Sequence, residues 1–489
     1  MSALAWSRRH WLFALVAACA TALRAVVLLA YQPALIFPDS ERYLEYAWHF
    51  VNGHWSPDWL RTSGYSLLLI PAVLTRNLAV VAVVQHLLGL ATAVLIYAAL
   101  LHFGARRWLA ALATVPVLFD PLQLDIEQYV LTDVSATFLL VAALVLLAWK
   151  HGNGAAAVAG LLIAAATIIR ESDLVVMIPA VLYLAAVIRP WRRLAATAAL
   201  LLAGFLLPVF GYLGWHQVSY GRFGFTDYGS QFMYGRIAQF AECTGAPLPG
   251  YERPLCPRPP PALRNLDFYM WSPQSPQATL KVPSGMSKER VIGDFDRRII
   301  ERQPLTYLKV VAGDVFYSFA PVRGDGPEHY PIWYHQFHTY FPARPDEAAT
   351  LRASTGRGPY VQPALARFLA GYGRYFYVPG PLLAAGLALG VAGMAGLGRA
   401  RRSGLRAPCL LFTIGAIAAV EPPFLVATFD WRYELPQLSL IPVAAVLGLA
   451  ALTARAGDRT QPSGRPVSKV PGPRGNQLQP ADVGDRTAA

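Results

Sequence analysis

Charge is scarce in this 489-residue sequence: Asp, Glu, Lys and Arg together make up 15%. That is far below a soluble globular average and excludes an ordinary soluble domain. No Gly-rich phosphate loop follows any predicted strand, which argues against a nucleotide cofactor. Aromatic and basic residues are not interleaved as in an RNA- or DNA-reading strand, so no nucleic-acid partner is expected. There is no internal repeat. Metal-ligand sets are missing as well. His335 and His338 have metal-like spacing but no clear third ligand. Asp294-Phe295-Asp296 falls in a predicted helix, where residues two apart diverge.

Apolar residues, by contrast, make up 55% of the chain and come in blocks long enough to cross hydrocarbon. Ten spans are predicted, at 11–31, 78–101, 108–120, 131–149, 154–169, 173–188, 194–215, 376–397, 407–428 and 434–453. With the amino terminus inside, the short inner loops hold Arg8, Arg9, Arg106, Arg107, Lys150, Arg189, Arg192, Arg193, Arg399, Arg401, Arg402 and Arg406. Asp39, Asp125, Glu127 and Glu171 fall outside. This positive-inside pattern predicts an even span count with both termini cytoplasmic. The formal net charge of +13 then faces the anionic leaflet of the membrane. Arg far outnumbers Lys, as in GC-rich bacteria, which points to a bacterial plasma membrane. Val16-Ala17-Ala18-Cys19 looks like a lipoprotein cleavage box, but the apolar stretch runs on to Ala30, so an uncleaved anchor is expected.

The fold class expected is therefore an all-α polytopic membrane protein with four regions. Residues 1–216 form an amino-terminal transmembrane module of about seven spans, residues 217–373 a large mixed external loop domain, residues 374–453 about three more spans, and residues 454–489 a disordered, Pro-, Gly- and Arg-rich cytoplasmic tail. The first external loop, 32–77, carries an amphipathic helix from Asp39 to Val51, with Tyr43, Leu44, Tyr46, Ala47, Phe50 and Val51 on one face. Tyr65 to Leu74 is apolar but too short to span. Further helices are expected at Lys288–Arg302 and, after the break at Pro304, at Leu305–Phe319. Four cysteines divide into Cys19 and Cys409, read as packing residues within spans, and Cys243 and Cys256, whose shared external loop predicts a disulfide.

Several charged residues ask for a reason. Asp39 can cap the interfacial helix or take a proton from an acceptor hydroxyl where headgroup meets water. Arg170 ends the fifth span on the side where cations are disfavoured. It can fork onto a phosphate or pair with Asp173 one turn on. Arg24 lies within the first span and either snorkels outward or faces a phosphate in the bundle. Glu421, ahead of two prolines in the ninth span, is a functional candidate on the same ground. Arg432 lies in the tight turn Asp430-Trp431-Arg432-Tyr433, whose aromatics also suit interfacial anchors. Glu127 and Asp133 flank the fourth span, about 240° apart if on one helix, and need not act together.

In this order and placement, the residues resemble the membrane-embedded glycosyltransferases of the GT-C superfamily, in particular the protein O-mannosyltransferase and aminoarabinose transferase branch. The resemblance covers about 11–450. It rests on Arg24, Phe37-Pro38-Asp39-Ser40-Glu41-Arg42-Tyr43, Ser63-Gly64-Tyr65, Glu127 through Thr132-Asp133, Arg170, and Arg432-Tyr433 with Pro436. It implies a one-step inverting transfer from a polyprenyl-phosphate-linked sugar to a glycan, lipid or protein hydroxyl on the external face. Asp39 would be the general base. Arg170 and Arg432, with Arg24 and Arg61, would hold the donor phosphate, and Glu127, Asp133 and Glu421 would be supporting carboxylates. Ser40 stands where the mannosyltransferases carry a second acid, which leaves acceptor class and any divalent metal ion open. The rival classes are a lipid or glycan flippase, which would ordinarily show repeated halves, and a non-catalytic envelope assembly factor.

Overall fold

The computed structural model describes residues 9–326 and 329–454. Beyond residue 454, the tail called disordered above lies outside the described residues. Among the described residues the regular structure is nearly all helix. Its amino-terminal part runs through α1 (Trp11–Ala30), α2 (Pro38–Val51), α3 (Gly64–Leu74), α4 (Ala79–His102), α5 (Arg107–Leu112), α6 (Val115–Phe119), α7 (Pro121–Gln128), α8 (Asp133–Trp149), α9 (Asn153–Ile169), α10 (Met177–Val187) and α11 (Trp191–Tyr220). The middle region holds α12 (Gly229–Ala238), α13 (Leu266–Trp271), α14 (Lys288–Arg302), α15 (Pro304–Tyr317) and α16 (Pro345–Thr355). The last helices are α17 (Pro363–Tyr375), α18 (Gly380–Ala395), α19 (Arg406–Ala418), α20 (Glu421–Val426) and α21 (Leu435–Thr453). One short antiparallel pairing sets Tyr31 opposite Val361 and Gln32 opposite Tyr360.

Among the described residues, five helical stretches are long and apolar enough to cross a membrane, or up to seven if each of two bent pairs is one span. The expected ten is therefore not reached. Helices α8 and α9 have 17 residues each, about 25 Å at helical rise, against roughly 30 Å of hydrocarbon. The stretch at 173–188 opens with a 3₁₀ segment, Glu171–Val176, and leaves only 11 residues to α10. The stretch around Pro116 is broken and turns by 49° into α7, and α17 and α18 meet at 54°.

The other local readings hold more closely. Helix α2 starts one residue early, at Pro38, where a missing N–H costs nothing. It buries Tyr43, Leu44, Tyr46, Ala47 and Phe50, the expected face, and ends before Gly53 at φ +83°. Helix α3 matches the short apolar piece, and α14 and α15 match the two expected in the external region. Cys243 and Cys256 form a disulfide beside the core of Tyr234, Phe295 and Ile299. Cys409 is buried, whereas Cys19 is exposed on the outer face of α1 rather than packed.

Two close approaches fix how the bundle presents the end that carries Asp39. Helices α9 and α11 touch backbone to backbone: a Cβ on Gly160 would lie 2.1 Å from the Leu201 carbonyl oxygen, and one on Gly204 would lie 2.2 Å from that of Ala157. At the head of α3, a Cβ on Gly64 would lie 2.5 Å from the Ile168 carbonyl oxygen, just before Arg170. Gly64→Val is therefore expected to separate α3 from α9 and to cost about 1–3 kcal/mol. A thermal-unfolding midpoint equal to that of the unsubstituted protein would refute this contact.

Candidate functional site

Asp39 is delivered to one end of the bundle by a strand-like segment. Leu35 bridges to Tyr129, Ser40 Oγ donates to the Val130 carbonyl at 2.7 Å, and the Phe37 N–H donates to Ser40 Oγ at 2.9 Å. Ser40 thus does the work of starting the helix, which leaves the Asp39 side chain free to point away from its own backbone. Both its oxygens go to arginines from distant parts of the chain. Arg61 Nη2 donates to Oδ1 at 2.6 Å, and Arg432 Nη2 donates to Oδ2 at 3.0 Å. Burial alone would push the Asp39 carboxyl up, but the Arg61 and Arg432 guanidiniums outweigh it and hold it below its ordinary range.

The arginines are themselves fixed. Arg432 Nε lies 3.0 Å from Asp430 Oδ2, and Asp430 Oδ1 lies 2.5 Å from His335 Nε2. The Arg432 guanidinium sits over the Phe37 ring at 4.7 Å, and that of Arg61 over Phe232 at 4.9 Å. Arg170 donates to Asp133 Oδ1 at 3.3 Å and to Ser172 Oγ at 3.1 Å, and it stacks on Tyr433 at 5.1 Å. Its partner is Asp133 and not Asp173, as helical spacing allowed. Arg432 Nη1 approaches Asp133 Oδ2 at 4.0 Å. Three carboxylates and three guanidiniums therefore alternate around one centre.

Two cavities meet there, and both are lined by Asp39, Arg61, Arg432 and Tyr433. The larger, about 400 Å³, opens toward the external region and is also lined by Asp267, Trp271, Tyr330 and Arg344. The smaller, about 210 Å³, is also lined by Thr132, Asp133, Arg170 and Ser172. Burial and the neighbouring Asp430 raise the Asp267 carboxyl above its ordinary value.

Of the residues singled out from sequence, Asp39, Arg61, Arg170, Arg432 and Asp133 come together. Arg24, Glu127 and Glu421 do not line either cavity. Arg24 instead donates to the carbonyls of Val117 and Leu118, at 3.0 and 2.9 Å, and to Glu127 at 2.8 Å. Glu127 also meets Gln123 at 2.9 Å and His86 at 2.6 Å. This buried clamp ties α1 to the break between α6 and α7, which frees carbonyls that need a donor. Asp430, His335 and Asp267 were missed, because nothing in local spacing links them to Asp39. His335 and His338 do not converge: His338 Nε2 lies 2.8 Å from the Trp333 carbonyl oxygen.

A divalent cation does not fit at Asp39. Both carboxylate oxygens are taken by guanidiniums, so a cation there would face Arg61 and Arg432 directly. Among the described residues, no group of three or more His, Cys, Asp or Glu is placed to hold a metal ion.

No protein-family model and no curated protein matches the chain. One solved structure is similar in part. It is the yeast (S. cerevisiae) protein O-mannosyltransferase Pmt1-Pmt2 complex bound to the sugar donor, at 15% identity and a TM-score of 0.35. The match covers 46% of this chain and 36% of that one, so this chain spans about a third of that length. An overlap this small carries no argument about activity.

The Arg24 clamp has a direct test. Arg24→Met takes the guanidinium from buried Glu127 and leaves the Val117 and Leu118 carbonyls without their donor, so a loss of about 3–5 kcal/mol is expected. Unchanged resistance to heat or denaturant would show that the pair holds nothing together.

Proposed function

We propose that this protein is a membrane glycosyltransferase of the GT-C kind, moving a sugar from a polyprenyl-phosphate donor to an acceptor hydroxyl with Asp39 as general base. The observation that carries this reading is one carboxylate shared by two arginines where two cavities meet. A base for an inverting displacement must face the acceptor on one side of the reacting carbon, while cations face the leaving phosphate on the other.

The smaller cavity, with Arg170, Arg61 and Arg432, is assigned to the donor phosphate, and the larger to the acceptor. The acceptor oxygen attacks the anomeric carbon as the bond from that carbon to the phosphate oxygen breaks. The acceptor proton passes to Asp39, the configuration inverts, and the polyprenyl phosphate leaves with its negative charge against the guanidiniums.

At rest the two arginines make Asp39 a weak base. A phosphate competes for the same guanidiniums, and each one it draws off raises the basicity of Asp39. Donor binding therefore arms the base. Until then the carboxylate is held ionised but unreactive, which limits idle chemistry with water.

Three outcomes follow for membranes supplied with labelled polyprenyl-phosphate sugars. Asp39→Asn should lower transfer by about 10²–10⁴-fold; full activity would remove Asp39 as base, and no transfer by the unsubstituted protein from any donor would remove the enzymatic reading. Arg170→Ala should weaken donor use about tenfold or more while leaving membrane insertion intact; equal loss of both would make Arg170 structural. The third concerns pH. Because the Asp39 pKa is depressed, its charge is present through neutral pH and is lost only as pH falls through the lowered value. Release of the arginines to the phosphate moves that value back up, because burial is then less opposed. The acid limb of kcat, which reports the donor complex, should thus lie at higher pH than the acid limb of kcat/KM. Coincident limbs would argue against exchange of the arginines.

A further inference from the structure

A separate charged cavity, away from Asp39, lies at the other end of α1, which is about 30 Å long. It has a volume of about 580 Å³ and is lined by Arg9, His10, Trp11, Tyr97, Arg106, Arg107 and Trp108 with a few apolar neighbours, and, among the described residues, by no acidic one. Arg9, Arg106 and Arg107 are exposed, and among the described residues none forms an ion pair; Arg107 Nη1 reaches only the Arg9 carbonyl, at 3.4 Å. His10 Nδ1 lies 2.7 Å from the Tyr97 hydroxyl. Burial, with Arg107 and Arg9 beside it, holds the His10 imidazole below its ordinary value. Near neutral pH the positive charge is therefore chiefly that of the guanidiniums.

What lies beside the cavity decides the class of ligand. Trp11 and Leu15 are one helical turn apart on α1, and both are exposed, at 63% and 53%. Trp108 and Leu112 repeat the spacing on α5, at 50% and 56%. Two open apolar faces thus run into the bundle from beneath a basic rim. A free inorganic anion would use the rim and leave the faces bare. A molecule with a phosphate head and hydrocarbon tails would cover both, and paired Trp residues suit the level where head and tail join.

We infer that this cavity binds an anionic phospholipid, its phosphate held by Arg9, Arg106 and Arg107 and its acyl chains lying along the Trp11–Leu15 and Trp108–Leu112 faces. The site is independent of the transferase reading, and its occupant holds α1 against the α4–α5 connection. Through α1 and Arg24 it bears on the same helix break that supports the loop of Asp39.

The test uses the full-length protein purified in a neutral detergent, with phosphatidylglycerol, phosphatidylcholine or inorganic phosphate added. Melting midpoint and retained lipid by native mass spectrometry are read together. Phosphatidylglycerol should raise the midpoint and be retained, and the other two should not. Arg106→Gln combined with Arg107→Gln should weaken phosphatidylglycerol binding about tenfold or more. Arg401→Gln combined with Arg402→Gln, at the same end of the bundle but outside the cavity, should leave binding unchanged. If the first pair impairs folding, Arg9→Gln, which lies ahead of α1, should still weaken binding. Equal loss from both double variants would reduce the effect to general positive charge. Inorganic phosphate as effective as phosphatidylglycerol would make this an anion site, and no preference over phosphatidylcholine would remove the site altogether.

Discussion

A carboxylate held between two arginines is the constraint on which the rest of this structure depends. Asp39, Arg61 and Arg432 come from a helix start, a loop and a turn separated by up to 393 positions. Removed from water singly, each would be costly; together they satisfy one another. The arrangement tolerates little displacement, because each guanidinium is also seated on an aromatic ring and Arg432 is tied back through Asp430 to His335. Precision at the centre is thus supplied by interactions around it.

The bundle beneath serves the same end. Arg24 and Glu127 look from their sequence positions like parts of a phosphate site, yet they hold together the break between α6 and α7. From there the chain runs through Tyr129 and Val130, which pair with Leu35 and Ser40 and so set the direction in which Asp39 leaves the helix. On the other flank, Gly64 lets α3 press on the end of α9, bringing Arg170 to the second cavity. Stability and geometry are in this sense one problem: the buried pair holds the scaffold so that the more exposed trio can be shared with a ligand.

Local features were the legible ones. The amphipathic face of α2, the punctuation at Pro38, Gly53 and Pro304, and the cysteines of the external loop follow from periodicity and backbone chemistry that act within a few residues. Span counting was less successful because hydropathy does not register where a helix breaks. The stretch around Pro116 and the one from 173 to 188 are mostly apolar, yet one bends and the other begins as a 3₁₀ turn. Residues acting at a distance were the least legible. Arg170 had an acid at helical spacing in Asp173 but pairs with Asp133, because α8 and α9 pack side by side. Asp430 stands only two residues before Arg432, but nothing near His335 in sequence marks it as the support for Asp430.

By itself, then, the sequence determined a helical membrane protein whose Asp39 sits at the start of an amphipathic helix, because hydrophobic blocks and helix-start chemistry are read over short distances. Only the tertiary structure decided which arginines meet that carboxylate. Arg61 and Arg432 reach it while Arg24 is turned inward to Glu127, because pairing among buried charges is set by which helix ends are packed together and which carbonyls a broken helix leaves without a donor.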